Sequence, residues 1–221
     1  SDVCSSDLLV DVVVAARDEQ AVISRLVSTI VGLRWPEGRL RLWIVDDGSE
    51  DRTPELLAAL QRRHPLLTVL RRSRSAGGGK SAALNLVLRR LEGRWMLVLD
   101  ADSLMSGDAI VRLTRMMQAH PRMGILQSLV VGMPSSSAFA RIFQFGMRHG
   151  MRPYTMGSAW WAGDCGPFWG HNALVRIAPF IRDCHLPMLP GKPPLGGAIL
   201  SHDRSEEHTS ELQSQFRISY A

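Results

Sequence analysis

Asp100 and Asp102 stand one residue apart at the end of the apolar run Met96–Leu99, within RWMLVLDADSLMSG. In an extended tail alternate residues point the same way, so both carboxylates can face one site. Paired hard oxygen ligands suit Mg2+ or Mn2+, which use few protein carboxylates and complete their shells with phosphate and water. An Asp-x-Asp alone is a common acidic loop; one that closes a buried strand says more. Two further acidic clusters also follow apolar runs. Arg17-Asp18-Glu19 comes after Val10–Ala16, and Asp46-Asp47-Gly48-Ser49 comes after Leu40–Val45. A carboxylate at such a place can accept from a base N–H or a sugar hydroxyl. A plain turn with a helix cap explains the same residue types at the second cluster.

A basic group lies between these clusters. Ala76-Gly77-Gly78-Gly79-Lys80-Ser81 invites comparison with a phosphate loop, which needs G-x-x-x-x-G-K-[ST]. Gly79, Lys80 and Ser81 fit, but the first glycine falls at Arg74. A flexible loop that brings Lys80 to a diphosphate is the reading that remains. Further on, GSAWWAGDCGPFWGHN (residues 157–172) carries Trp160, Trp161 and Trp169 among glycines in a loop-like stretch. Flat aromatic faces beside glycines suit sugar rings, and core packing is the alternative. His171 and His202 have no partner at metal-ligand spacing, so structural roles are expected for both.

The elements that must position these groups follow from periodicity. Val10–Ala16 reads as a buried parallel strand, Gln20–Val31 as a helix with Val22, Ile23, Leu26, Val27 and Ile30 on one face. Leu40–Val45 is a second strand. Thr53-Pro54 predicts an N-cap and first helical position for a helix to about His64. A short strand at Thr68–Leu70, a helix from Lys80 to Leu91 and a strand at Trp95–Leu99 come next. Ser106 is expected to cap a helix through Ala119, stopped by His120-Pro121. Ile125–Val131 is a further strand candidate and Ala138–Met147 a helix candidate. Strand–helix alternation with short connections predicts an α/β fold with a mostly parallel sheet. In such sheets ligands bind beyond the carboxyl ends of the strands, where the acidic clusters sit.

Composition fits a globular chain: 221 residues, 45% hydrophobic and 21% charged. Its three cysteines show no metal spacing and their odd number argues against a disulfide framework, so a reducing compartment is expected. No apolar stretch approaches ~18 residues, the length of a membrane span.

The two ends are unusual. Ser1–Leu8 can be encoded by a sequence whose reverse complement, one frame over, encodes RSEEHTSE, the residues at Arg204–Glu211. Both ends resemble translations of one sequencing adapter. Residues 1–8 and 204–221 are therefore expected to lie outside the fold, with one domain fragment over residues 9–203. Setting aside Arg204, Arg217, Asp2, Asp7, Glu206, Glu207 and Glu211 reduces 26 basic residues to 24 and 21 acidic to 16, a net charge of +8. That balance suits an anionic ligand or surface. Aromatics are not interleaved with the basic residues, which argues against nucleic acid.

Taken together, VVVAARDE, VDDGSEDRT, GGGKSAALN and LVLDAD resemble, in order and spacing, the family 2 glycosyltransferases of GT-A type. The resemblance implies a GT-A fold and an inverting transfer from a UDP-sugar to a glycan acceptor. It implies that Glu19, Asp46 and Asp47 hold the uridine nucleotide, that Lys80 and Asp100 bind the donor, and that Asp100 and Asp102 hold Mg2+ or Mn2+. A nucleotide-binding module without catalysis, or a phosphate-loop protein, is the alternative of another class.

VLDADSLMSGDAIVRL, FWGHNALVRIAPF and LPGKPPLGGAILSHD are similar to the membrane glucosyltransferases that make osmoregulated periplasmic β-glucans. That likeness adds Trp169, Gly170, His171 and Asn172 as substrate-binding candidates and Asp203, closing the SHD motif, as general base. For the full-length family member it implies the cytoplasmic face of the bacterial inner membrane, reached through segments outside this chain. The first half looks more like generic processive or lipid-linked members, so a joint between two genes near residues 95–103 is a second possibility. The later Gln-x-x-Arg-Trp motif is absent, and a chain ending so close to Asp203 is expected to bind nucleotide weakly and transfer no sugar.

Overall fold

The computed structural model describes residues 8–129, 132, 134–163 and 168–184, together with the backbone of residues 217–220. The chain alternates strand and helix in the order β1 (Val10–Ala16), α1 (Ile23–Val31), β2 (Leu40–Asp47), α2 (Thr53–Arg63), β3 (Leu67–Arg72), α3 (Gly79–Leu88), β4 (Trp95–Asp100), α4 (Ala109–Ala119), β5 (Met123–Gln127), α5 (Ala138–Ala162), β6 (Ala173–Arg176), α6 (Ile177–Asp183) and β7 (Arg217–Tyr220). One sheet orders them β3-β2-β1-β4-β6-β5-β7. The first four spatial neighbours are parallel, β6 runs antiparallel to β4 and β5, and β7 is parallel to β5.

Helices cover both faces, which is why β1 and β4 are apolar apart from Asp11 and the closing Asp100. Side chains alternate between two cores. Val10, Val12 and Val14 of β1 and Leu97 and Leu99 of β4 pack with α1, α2 and α4 through Ile23, Leu26, Ile30, Leu57, Ile110 and Leu113. Val13, Met96 and Val98 face the other way, against Ala83, Leu84 and Val87 of α3 and Phe180 of α6. On β1 one charged residue enters this interior. Asp11 is fully buried and accepts from Arg41 Nε (2.7 Å) and Trp43 Nε1 (2.9 Å) on Oδ1, and from Arg41 Nη2 (2.9 Å) and the Gly93 N–H (3.0 Å) on Oδ2.

The mostly parallel α/β sheet is as expected, and several local expectations need correction. Thr53 is the first residue of α2 and does not cap it: its hydroxyl accepts the Glu19 N–H, while Asp51 Oδ1 takes the Thr53 N–H. Ser106 precedes α4 by three residues and its hydroxyl bonds the Asp108 carboxylate. α5 is 25 residues long and continues through Pro153 to Ala162, so Trp160 and Trp161 lie on a helix. Pro153 removes one N–H from a long ladder without ending it. β6, unpredicted, is four residues long. β7 lies in residues 204–221, the segment expected outside the fold. Its extended backbone pairs with β5, whose outer edge otherwise has unpaired N–H and C=O groups.

Candidate functional site

The parallel strands bring the acidic clusters to one edge. Ala16 pairs with Asp46 and Ala15 with Asp100, so β1, β2 and β4 end almost flush. β6 is antiparallel, hence the chain enters it at this same edge, and Trp169–Asn172 arrive beside the end of β4.

The loops after β1 and β2 are laced together. The N–H groups of Asp18, Glu19 and Gln20 donate to Ser49 Oγ (3.0 Å), Thr53 Oγ1 (2.9 Å) and Asp51 Oδ2 (3.0 Å). In return the Glu50 and Arg52 N–H groups donate to Asp18 Oδ1 (2.8 Å) and Gln20 Oε1 (3.1 Å). The Glu50 N–H is the largest cause, with Arg74 second, of a lowered Asp18 pKa. Gly48 permits this arrangement: its φ is +72°, and a Cβ there would sit 2.4 Å from the Arg74 backbone nitrogen.

Asp46 and Asp47 are buried, and arginines hold them. Arg17 Nη2 and Arg72 Nη1 (2.6 Å) engage the two oxygens of Asp47. Asp46 Oδ1 accepts the Ser49 N–H (2.9 Å). Arg71 Nε lies 3.3 Å from Asp46 Oδ2, out of hydrogen-bond alignment, so that buried oxygen has charge compensation and no donor. Arg72 also donates to the carbonyls of Gly77 (2.6 Å) and Gly79 (3.3 Å). It thus ties β2 to the glycine loop, where Gly77, Gly78 and Gly79 all have positive φ.

That loop delivers Lys80. Its ammonium donates to Asp100 Oδ1 and to the Gly170 carbonyl (2.9 Å), pinning the end of β4 to the Trp169–Asn172 turn. The His171 Nδ1 is 3.9 Å from Asp100 Oδ2 and 3.1 Å from the Asn172 amide. Asn172 adopts φ +50° and its carbonyl accepts from the Ser128 N–H and hydroxyl, each at 3.0 Å. The Trp169 N–H donates to buried Gln127 Oε1 at 2.9 Å. The glycine loop follows β3, an edge strand, whereas a phosphate loop follows a strand of the sheet interior.

Asp102 is exposed just beyond Asp100. Glu19 reports on the field there: burial first, then the Asp102 and Asp100 charges, push its pKa up. The oxygen-only donor set of Asp100 and Asp102, beside a carboxylate that resists ionisation, fits Mg2+ or Mn2+. Among the described residues no three metal-ligating side chains converge. A cation here would therefore draw its other ligands from diphosphate and water. A cavity of about 830 Å³ opens beside Asp102, lined by Ser103, Met105, Arg112, Leu113 and Asn172 among others.

The structure thus gathers Glu19, Asp46, Asp47, Lys80, Asp100, Asp102, Trp169, Gly170, His171 and Asn172 at one edge. Trp160 and Trp161 are on exposed α5, and Asp203 lies outside the described residues. Sequence reasoning missed Arg17, Arg72 and Gln127. The Arg17 that opens RDE and the Arg71-Arg72 pair at the end of a strand were the available signals.

An α/β sheet with carboxylates at the ends of β1, β2 and β4 and a turn fed in by an antiparallel β6 is the GT-A fold. A mannosyltransferase of Pyrobaculum calidifontis, solved in complex with GDP-Man and Mn2+, matches with a TM-score of 0.68 at 20% identity over 96% of this chain and 54% of its own. Glucosyl-3-phosphoglycerate synthase of Mycobacterium tuberculosis, in complex with Mn2+, UDP and phosphoglyceric acid, matches at 0.62 and 18%, over 96% and 67%. The chain belongs to glycosyl transferase family 2, whose model matches residues 11–182. Glucans biosynthesis glucosyltransferase H of Caulobacter vibrioides is 49% identical over 111 residues, 50% of this chain and 17% of the relative. The enzyme of that name in Xylella fastidiosa is 40% identical over 157 residues, 70% of this chain. The chain spans 24% of the Xylella relative's length.

Proposed function

We propose that this domain binds a UDP-sugar, with glucose as the sugar, for inverting transfer to a glycan acceptor in β-glucan synthesis. The observation that carries the reading is the gathering of Glu19, Asp46, Asp47, Asp100 and Asp102 at one sheet edge, with Lys80 on Asp100. The glucan-synthesising relatives and the UDP and Mn2+ in a neighbour of the same fold support it.

In this reading Asp46 and Asp47 face the nucleoside, and Arg17 and Arg72 hold the Asp47 carboxylate in place. Lys80, already beside Asp100, places a positive charge where the leaving diphosphate gains negative charge. Mg2+ or Mn2+ held by Asp100 and Asp102 would neutralise that diphosphate further. His171, Asn172 and Trp169 stand where the sugar meets the acceptor, next to the cavity beside Asp102. Asp203 is the proposed base for the acceptor hydroxyl; its role rests on the SHD motif alone. One domain over residues 9–203, its sheet edge covered by the backbone of residues 217–220, is the proposed organisation, with the membrane reached by segments outside this chain.

Calorimetry of UDP binding tests the reading. With Mn2+, UDP is expected to bind the wild-type chain at least about tenfold more tightly than in EDTA, a difference of about 1.4 kcal/mol. Asp102→Ala should remove that difference. Equal affinity with and without EDTA would refute the metal-linked site, and preference for ATP over UDP would favour the alternative nucleotide module.

A further inference from the structure

α5 turns its small side chains inward and its large apolar ones outward. Its covered and partly covered residues form one stripe at helical spacing: Ala140, Gln144, Met147, Met151, Thr155, Ser158, Ala159 and Ala162. Small and polar groups dominate that inner stripe, and Thr155 alone is fully buried. The large apolar side chains point outward. Phe139, Ile142, Phe143, Phe145, Tyr154, Met156, Trp160 and Trp161 are all more than half exposed, the two tryptophans at 82% and 86%. At 100° per residue they occupy about half of the helix circumference.

The charges complete the pattern. α5 contains no Asp or Glu; its ionisable residues are Arg141, Arg148, Arg152, His149 and Tyr154. Arg141, Arg148 and Arg152 are spaced seven and four apart, so they line one border of the apolar arc. At 25 residues the helix is about 37 Å long. Among the described residues no helix is long and apolar enough to cross a membrane. A broad aromatic face, a single cationic border and no acid is the pattern of a helix lying in a lipid headgroup layer, where tryptophan and tyrosine rings are favoured.

We infer that α5 is a membrane-surface helix that seats this domain on an anionic phospholipid bilayer, with Trp160 and Trp161 inserted and the arginines on the headgroup phosphates. A second copy of the chain fits less well, since a two-fold contact would bring two acid-free, arginine-lined faces together.

The test is vesicle binding by the 221-residue chain, using phosphatidylcholine vesicles with and without 30% phosphatidylglycerol. Binding to the anionic vesicles is expected, with preference for them and weakening at high salt. Shallowly brominated lipid should quench tryptophan fluorescence. Arg141→Gln/Arg148→Gln/Arg152→Gln should lower partitioning by about a hundredfold. Trp160→Ser/Trp161→Ser should lower it at least about tenfold and abolish the quenching. UDP binding should be unchanged in both variants, which shows that they fold and keeps this test separate from that of the sugar-transfer reading. Absent binding, indifference to lipid charge, or variants that bind like wild type would overturn the inference. So would a wild-type dimer in sedimentation that dissociates in the tryptophan variant while lipid binding is absent.

Discussion

Arg72 shows how single side chains shape this site. It is 11% exposed and binds three groups at once: the Asp47 carboxylate and the carbonyls of Gly77 and Gly79. Its planar fork, not its charge alone, makes that possible. Arg72→Lys is therefore expected to lose at least about tenfold in UDP affinity, and Arg72→Ala more, as read by calorimetry. Tighter binding by Arg72→Ala would mean that Arg72 competes with the nucleotide for Asp47. Glu19 carries the pH dependence. Burial, then Asp102 and Asp100, raise its pKa above the ordinary glutamate value. The folded chain then holds this proton at pH values where the unfolded chain has lost it. Glu19 thus contributes stability at low pH that fades as pH rises from the ordinary glutamate range through the raised pKa. Mg2+ should pull that pKa down, seen in carboxyl carbon-13 NMR titrations; a pKa indifferent to Mg2+ would place the cation away from this cluster.

The ends of β1 carry different burdens. Its carboxyl end opens into the site, and near its other end Asp11 gathers Arg41, Trp43 and the Gly93 N–H without an exposed atom. Asp11→Ala leaves those donors without their acceptor and should cost about 3–5 kcal/mol in urea denaturation. UDP affinity in water should change little, because the site is at the opposite sheet edge. A loss of affinity with unchanged stability would contradict that division.

The same strand shows what was legible in the sequence. The bounds of Val10–Ala16 are legible because a strand covered on both faces reads as an apolar run, here interrupted only by Asp11. The carboxylates at the ends of β1, β2 and β4 were legible for the related reason that buried runs end where polar groups begin. The caps were not, because Thr53 Oγ1 is claimed by Glu19 and Asp51 replaces it, a choice made by a loop 34 residues away in sequence. Periodicity supports a helix only over Ala138–Met147, whereas α5 runs on to Ala162 through Gly150, Pro153 and Gly157. The arginines around Asp47 were missed because their partner lies 25 to 30 residues off.

At the scale of the whole molecule, the site belongs to no single segment. Residues 17–20, 46–53, 71–80, 100–102 and 169–172 supply it, and the sheet alone brings them together. Lys80 bridges residues 90 apart in sequence when it meets the Gly170 carbonyl. A ligand that needs all five segments binds only the folded chain, so its binding free energy adds to the stability of the entire sheet. At a hundredfold excess over Kd that amounts to about 2.7 kcal/mol. For a chain of this size, each kcal/mol raises Tm by about 2–4 °C. UDP with Mn2+ at such an excess should then raise Tm by roughly 5–10 °C in a thermal scan, and UDP with EDTA by clearly less. In Asp102→Ala the two conditions should give the same small shift. Lys80→Ala makes the sharper comparison, because it removes the pin between β4 and the Trp169–Asn172 turn while leaving both carboxylates in place. The variant should keep a Mn2+-dependent shift of reduced size. A full-sized shift in Lys80→Ala would mean that the nucleotide does not use the turn that Lys80 holds, and the candidate residues from Trp169 to Asn172 would lose their place beside the donor.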